Sequence, residues 1–325
     1  MSLEHSAWQP SASMQLLQER ASLLSEIRSF FAHRDVLEVE TPIVSSSANP
    51  DAAIDPMLSG FRQTGSQQSA PLFLQTSPEF SMKRLLAAGS GSIFQICHAF
   101  RNGECGRLHN PEFTLLEWYR INYDHHQLMD EVDALLMQLL PGCAAAERHR
   151  YTDLFFVHTG LDLFSATDMQ LQERAVAAGV VIPESVQSEW LIEMLFELCV
   201  GPWLQQKRGV IVYDYPSAQA SLSQFSAQDP RVAERFEYFF EGVELANGFH
   251  ELADDAEQRR RFEAENLKRL HAGQEQLPLD EHFLHALEHG LPDCSGVALG
   301  VDRLLMLRCD VDHIGEVLTF PFDRA

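Results

Sequence analysis

The sequence predicts an antiparallel α+β fold, a sheet flanked by helices, on three observations. SIFQICHAFR (92–101) and EFTLLEWYR (112–120) alternate apolar and polar residues across a Gly-, Asn- and Pro-rich connection, as a hairpin does. A second hairpin fits residues 234–252, turning at Glu241-Gly242. Strands and isolated helices then follow one another without regular βαβ alternation, and no internal repeat is present.

Residues 1–13 are polar and are expected to be loose; from residue 14 onward the chain is expected to form one catalytic-type domain, 14–325. Leu16, Leu17, Leu23, Leu24, Ile27, Phe30 and Phe31 recur at helical spacing, and VLEVETP (36–42) reads as a short strand closed by Pro42. SGFRQTGSQQSAP (59–71) is polar and turn-forming, so a loop is expected there. Ser77-Pro78 resembles a helix start, serine as N-cap and proline at the first position, with Gly89 as the stop. The 102–111 connection is expected to be a long mobile loop, and Leu128, Val132, Leu135 and Leu139 mark a helix over 125–140. Residues 150–205 read as an inserted helical region. Strands return at 210–214 and 234–252, a charged helix fits 254–272, and SGVALGVDRLLMLR (295–308) passes from strand to helix.

In this 325-residue chain, 24 Lys and Arg stand against 47 Asp and Glu, a net charge of −23 that repels nucleic acid unless the few cations are focused in a cleft. Stable nucleic-acid binding is therefore not expected. The six cysteines form no C-x-x-C pair and follow no secretory segment, which reads as reduced thiols in the cytoplasm. No run approaches the roughly 18 apolar residues of a membrane span.

The chemistry lies in four places. Period-two geometry puts Phe113, Leu115, Glu117 and Tyr119 on one strand face, an aromatic plate beside a carboxylate and a phenol. If Glu241-Gly242 is a two-residue turn, residue 239 opposes 244, and Glu237 and Glu244 become diagonal neighbours on one face. Two carboxylates about 6 Å apart repel by about 3 kcal/mol at an effective dielectric near 20, a penalty that a divalent cation removes; oxygen-only ligation points to magnesium. Arg101 and Arg303 offer guanidinium forks to a polyphosphate, and Gly300 leaves room for a ligand to approach the backbone. Together these suggest a bent nucleotide on an antiparallel sheet, with Phe113 available to stack on adenine.

FRN…HNPEF (100–113), ELANGFHEL (244–252) and GVALGVDRL (296–304) resemble the signature motifs of class II aminoacyl-tRNA synthetases. The helix–strand–Pro42 unit is similar to that family's first motif, which implies a homodimer built on residues 14–42. TSPE (76–79), LLEWY (115–119) and NGFHE (247–251) narrow the resemblance to the lysyl branch. It implies that Arg101 and Arg303 are catalytic, on the α- and γ-phosphates, and that Phe113 meets the adenine. Asn102, Gly103, Asn110, Glu244, Leu245 and Gly300 would complete the ATP site, and Glu237 and Glu244 would carry Mg2+. Ser77, Pro78, Glu79, Glu117, Tyr119, Asn247, Glu251 and Ala298 would surround a lysine-like substrate, whose ammonium groups need anionic partners.

Some residues depart from the pattern. Gly103 stands where the family has an adenine-contacting glutamate, with Glu104 next to it. Strict alternation puts Glu244 and Glu251 on opposite faces, which a bulge near Asn247-Gly248 would reconcile. The helix at residue 14 leaves no space for an anticodon-binding domain. The resemblance then implies a truncated lysyl-tRNA synthetase paralogue that transfers (R)-β-lysine to a lysine of elongation factor P. Ala298, usually glycine in lysyl-tRNA synthetases, favours that branch, its methyl narrowing the site beside the substrate's amino group. The competing readings are an enzyme that charges tRNA and a silent regulatory paralogue; the charge disfavours the first, and the retained Arg101, Glu237, Glu244 and Arg303 the second. His282, His285 and His289 fall at helical spacing but carry no zinc-ligand pattern, and they and His125-His126 are expected to be solvated.

Overall fold

The computed structural model describes residues 8–62, 64–65, 69–183 and 186–325; the expectation for residues 1–7 and part of that for the 59–71 loop lie outside them. Helix α1 (Met14–Ala32) starts on Ser13, whose side chain accepts from the Leu16 amide, and buries Leu23, Ile27, Phe30 and Phe31. The strand expected over 36–42 contracts to β1 (Leu37–Glu38), followed by β2 (Val44–Ser45). The expected loop at 59–71 is instead bounded by two strands, β3 (Leu58–Arg62) and β4 (Ser69–Leu74), paired antiparallel. All five residues of β3 are exposed, so no buried face imposes alternation on the sequence.

Helix α2 (Glu79–Ala87) begins one residue later than expected, with Pro78 at the cap position. Ser77 still serves this end, since its Oγ accepts from the Glu79 amide at 3.1 Å. The expected hairpin is present as β5 (Ile93–Phe100) and β6 (Glu112–Ile121). Its connection is folded, not slack: the Gly106 amide donates to the His109 carbonyl, and the Ile314 amide to that of Arg107. Helix α3 (His125–Leu139) and a short strand, β7 (Glu147–Arg150), precede the helical region, made of α4 (Tyr151–Thr159), α5 (Asp168–Ala177) and α6 (Ser188–Leu204). Then come β8 (Val210–Pro216), β9 (Val232–Phe240), β10 (Val243–His250), α7 (Asp255–His271), α8 (Glu281–Gly290), β11 (Cys294–Gly300), α9 (Val301–Cys309) and the short α10 (Ile314–Val317).

The chain divides into two compact units. The first holds residues 1–123, 138–141 and 252–325. Its strands run β1-β5-β6-β11, antiparallel except for the parallel β1–β5 pair, beside a separate β2-β4-β3 sheet. Phe31 stacks on Phe94 with ring centroids 4.6 Å apart, fixing α1 against β5. Phe80 stacks on Phe283 at 4.6 Å, joining α2 to α8.

The second unit holds residues 124–137 and 142–251. Its strands run β10-β9-β8-β7, with only β7–β8 parallel. The helices α4–α6 pack Tyr151, Leu154, Phe155, Leu195 and Val200 on Val210 and Val212 of β8, in a core of their own. Glu241 and Gly242 both take positive φ, 51° and 78°, which makes the β9–β10 connection the expected two-residue turn.

Candidate active site

In the first unit the structure gathers Ser77, Glu117, Tyr119 and Ala298. Glu117 is 2% exposed; Ser77 Oγ donates to its Oε2 at 2.6 Å and Tyr119 OH to its Oε1 at 2.7 Å. Ala298 lies directly across from Glu117 in the β11–β6 register, so methyl and carboxylate share a face. Glu79 lines a cleft with Ser77, Gln75, Ser45 and Asn49. Its Oε1 is taken, however, by Lys83 one helical turn on, at 2.6 Å. Lys83 is fully buried, and this pair was readable as E-x-x-x-K but passed over. Cys97, on β5, is pushed up to about 12, first by burial and then by the charge of Glu117, so the thiol stays protonated at neutral pH.

The nucleotide-type residues cluster along the β5–β6 connection. The Arg101 guanidinium sits 5.1 Å from the centre of the Phe113 ring and 3.6 Å from Glu104. Its Nε is buried and has no hydrogen-bond partner among the described residues, a donor kept dry and unused. Gly103 has φ 78°, a left-handed conformation that a glutamate side chain would strain, and this accounts for the departure at that position. Asn102 is tied down: its side-chain amide donates to Asp55 at 2.8 Å, and Asp55 is gripped in turn by the buried Arg269 at 2.9 Å. Asn110 likewise has both ends engaged with backbone, donating to the Glu112 carbonyl and accepting from the Phe322 amide. Asn102 and Asn110 thus shape the loop with their side chains.

Arg303 projects from the first turn of α9, where its Nε donates to the Leu108 carbonyl at 3.3 Å and its Nη2 lies 2.7 Å from His109 Nε2. Burial, then the Arg303 charge, holds His109 below the usual imidazole range, so its ring can accept from Arg303. Asp302, beside it in the GVDR segment, is 2% exposed and accepts from the Thr114 amide at 2.7 Å and from Arg20. The start of α9 is thereby fixed to β6 and α1. A Cβ at Gly300 would meet only the Arg303 stem, at 3.7 Å, so neither φ nor packing demands glycine there.

In the second unit Glu244 pairs with Phe239 and Asn247 with Glu237, and the register shifts between Glu244 and Ala246. The bulge therefore lies a few residues before the expected Asn247-Gly248; its position is a backbone property that side-chain types do not encode. The shift puts Glu237, Glu244 and Asn247 on one face, while Phe236, Tyr238, Phe240 and Ala246 are buried on the other. Leu245, at the shift, is buried. Arg235 pairs with Glu237, and Asn247 Oδ1 is buried without a hydrogen-bond partner among the described residues. Hard oxygen donors on one face fit magnesium, with Arg235 fixing the rotamer of one of them. Glu251 is 4% exposed and its backbone bridges to Ser223.

The chain belongs to the class II tRNA synthetase family (D, K and N), which matches residues 4–324. It is similar over nearly its whole length to proteins named elongation factor P–(R)-β-lysine ligase. The Edwardsiella ictaluri protein is 52% identical over 321 residues, 98% of each chain. The Salmonella arizonae protein is 49% identical over 324 residues, 99% of each chain. The Vibrio cholerae protein is 49% identical over 326 residues, 99% of this chain and all of the relative.

Proposed function

We propose that this protein is an ATP-dependent ligase that activates (R)-β-lysine as an aminoacyl-adenylate and transfers it to the ε-amino group of a lysine on translation elongation factor P. The observation that carries the reading is the buried Glu117, held by the uncharged donors Ser77 and Tyr119 with Ala298 across from it. Such a carboxylate is a receptor for an ammonium group, and the methyl opposite restricts what else fits beside it. The names of the near-full-length relatives supply the acceptor.

In the first step the substrate carboxylate attacks the α-phosphorus of ATP and pyrophosphate leaves. Arg101 offers its guanidinium to the α-phosphate, Arg303 its fork to the γ-phosphate, and Phe113 its ring to adenine. Gly103, Leu245 and Gly300 are assigned to the nucleotide. Glu237 and Glu244 are assigned to Mg2+, which when bound offsets phosphate charge. Asn247 and Glu251 are assigned to the substrate, and Pro78 to the wall beside Ser77. In the second step the neutral acceptor amine attacks the activated carbonyl, AMP leaves, and the amine's proton passes to solvent. Positioning and charge neutralisation suffice, so no side-chain nucleophile is required.

We place the reaction in the cytoplasm and infer a homodimer through residues 14–42, because Met14 of α1 and Leu37 of the edge strand β1 are exposed large apolar residues there. A monomeric mass at micromolar concentration would remove the dimer. The experiment for the activity is incubation with ATP, α- or β-lysine, and either tRNA or elongation factor P, followed by mass spectrometry. The expected product is the factor heavier by one β-lysyl group; charged tRNA beside unmodified factor would reverse the assignment.

A further inference from the structure

His125, at the first position of α3, is 5% exposed, and neither ring nitrogen has a hydrogen-bond partner among the described residues. A buried imidazole left this way is unusual and calls for a partner. Its Nδ1 faces Glu234 Oε2 of β9 at 4.0 Å, and its Nε2 faces Asp214 Oδ1 at 3.5 Å. Glu234 Oε2 is itself 2.6 Å from Nδ1 of His250 on β10. One ligand atom each from His125, Glu234 and His250 lies within 4.8 Å of the others. All of these residues belong to the second unit.

The separations suit a shared metal ion. Ligand atoms about 2.0–2.2 Å from a tetrahedral zinc ion lie about 3.3–3.6 Å from one another, and the separations here bracket that value. A proton alone satisfies the Glu234–His250 pair but gives His125 no hydrogen bond. An ion bound at His125 Nδ1 would engage that ring, and Nε2–H would then point to Asp214, the carboxylate–histidine–metal arrangement that fixes a ligating imidazole. Asp214 is aimed by the backbone: it has φ 55° and sits where the β8–β9 register shifts between Tyr213 and Tyr215. Gln224 completes the shell, with its amide nitrogen 2.5 Å from His250 Nδ1 and 2.9 Å from Glu234 Oε2. Turned over, that amide presents an oxygen as a fourth ligand. The side chains of His250 and Glu234 are 13% and 17% exposed, which leaves an entry path for an ion.

We propose that His125, Glu234 and His250 bind a divalent transition metal of the zinc class, with Asp214 as the positioning residue for His125. Two imidazoles and one carboxylate suit zinc; the oxygen-only Glu237 and Glu244 suit magnesium, so the two ions have separate sites. The ion staples the start of α3 to β9 and β10.

The test uses the full chain, stripped with chelator and titrated with zinc chloride in magnesium-containing buffer. The expected result is one zinc per chain retained through gel filtration, a rise in melting temperature, and loss of both in His250→Ala. Asp214→Asn keeps a residue type that tolerates positive φ and should weaken zinc binding about 10–100-fold. Cobalt substitution should give the intense visible bands of a four- or five-coordinate ion without thiolate charge transfer. A triple alanine variant at the exposed His282, His285 and His289 should bind zinc as the parent does. No retained zinc in the parent, equal retention in His250→Ala, or loss confined to the triple variant would overturn the site. Should His250→Ala fail to fold, the Asp214→Asn affinity and the cobalt spectrum of the parent decide: an unshifted affinity or a six-coordinate spectrum rejects it.

Discussion

Replacing Glu117 with Gln tests substrate recognition because the exchange preserves shape and removes charge. The side chain is 2% exposed and accepts 2.6 and 2.7 Å hydrogen bonds from Ser77 and Tyr119. A glutamine keeps one acceptor, and its amide group can donate to whichever hydroxyl turns its oxygen inward. What disappears is the attraction for an ammonium ion. A hydrogen bond to a charged group contributes about 1.5–3 kcal/mol against about 0.5–1.5 for a neutral one, and unit charges about 4 Å apart at an effective dielectric near 20 attract by about 4 kcal/mol. The expected loss of about 2–4 kcal/mol lowers kcat/KM for the lysine-type substrate about 30- to 900-fold in pyrophosphate exchange. An independent readout lies on the neighbouring strand: Cys97, pushed up to about 12 partly by Glu117, should alkylate faster at high pH in the variant. A loss below about tenfold in kcat/KM, with Cys97 responding as described, would show that the charge had been removed and that the substrate does not need it.

The remaining predictions address other parts of the site. Ala298→Gly should raise kcat/KM for α-lysine about 10–200-fold while changing the β-lysine value less; an unaltered ratio would move discrimination to Ser77 or Asn247. Glu244→Ala should abolish magnesium-dependent pyrophosphate exchange, and retention of most activity would remove the metal assignment. Asp302→Ala, which strips Arg20 and the Thr114 amide of a buried carboxylate, should cost about 3–5 kcal/mol in urea unfolding; a change under about 1 kcal/mol would contradict its anchoring role. The Asp55 carboxyl is lowered from 3.8 by the hydrogen bond from Asn102 and then by Arg269. Its stabilisation is therefore complete above about pH 4 and lost as pH falls through the lowered value, so Asp55→Asn should flatten that part of the acid limb in thermal melts between about pH 5 and 2; an unchanged limb would refute it.

What the sequence made legible was what local pattern controls. The β5–β6 hairpin shows because two runs rich in β-branched, aromatic and other apolar residues flank a Gly-, Asn- and Pro-rich connection, and the β9–β10 turn shows because Glu241-Gly242 takes the two positive φ values such a turn needs. Strand β3 was illegible for the opposite reason: with every residue exposed, nothing constrains its polarity. Long-range clamps were also hidden. Arg269 reaches Asp55 across 214 residues of sequence, and no spacing rule connects them; the same holds for His125, Glu234 and His250, read only as a solvated histidine pair and ordinary strand residues. The bulge in β10 was anticipated from a conflict between faces, yet its place follows from hydrogen bonding that side chains do not report.

The Glu79–Lys83 pair changes how selectivity for a cationic substrate is to be understood. Lys83 is fully buried and bonds Glu79 Oε1 at 2.6 Å, so the two charges offset one another before any ligand arrives. An acid already neutralised in this way offers an ammonium group a directed lone pair, with little net field. Glu117 accepts from the hydroxyls of Ser77 and Tyr119, which direct its two carboxylate oxygens. We therefore assign the ammonium contact of the first unit to Glu117, with Glu79 left to shape and orient. The cross-strand register sets the Ala298 methyl against this carboxylate, and we propose that from there it senses the position of an amino group on the substrate's carbon chain.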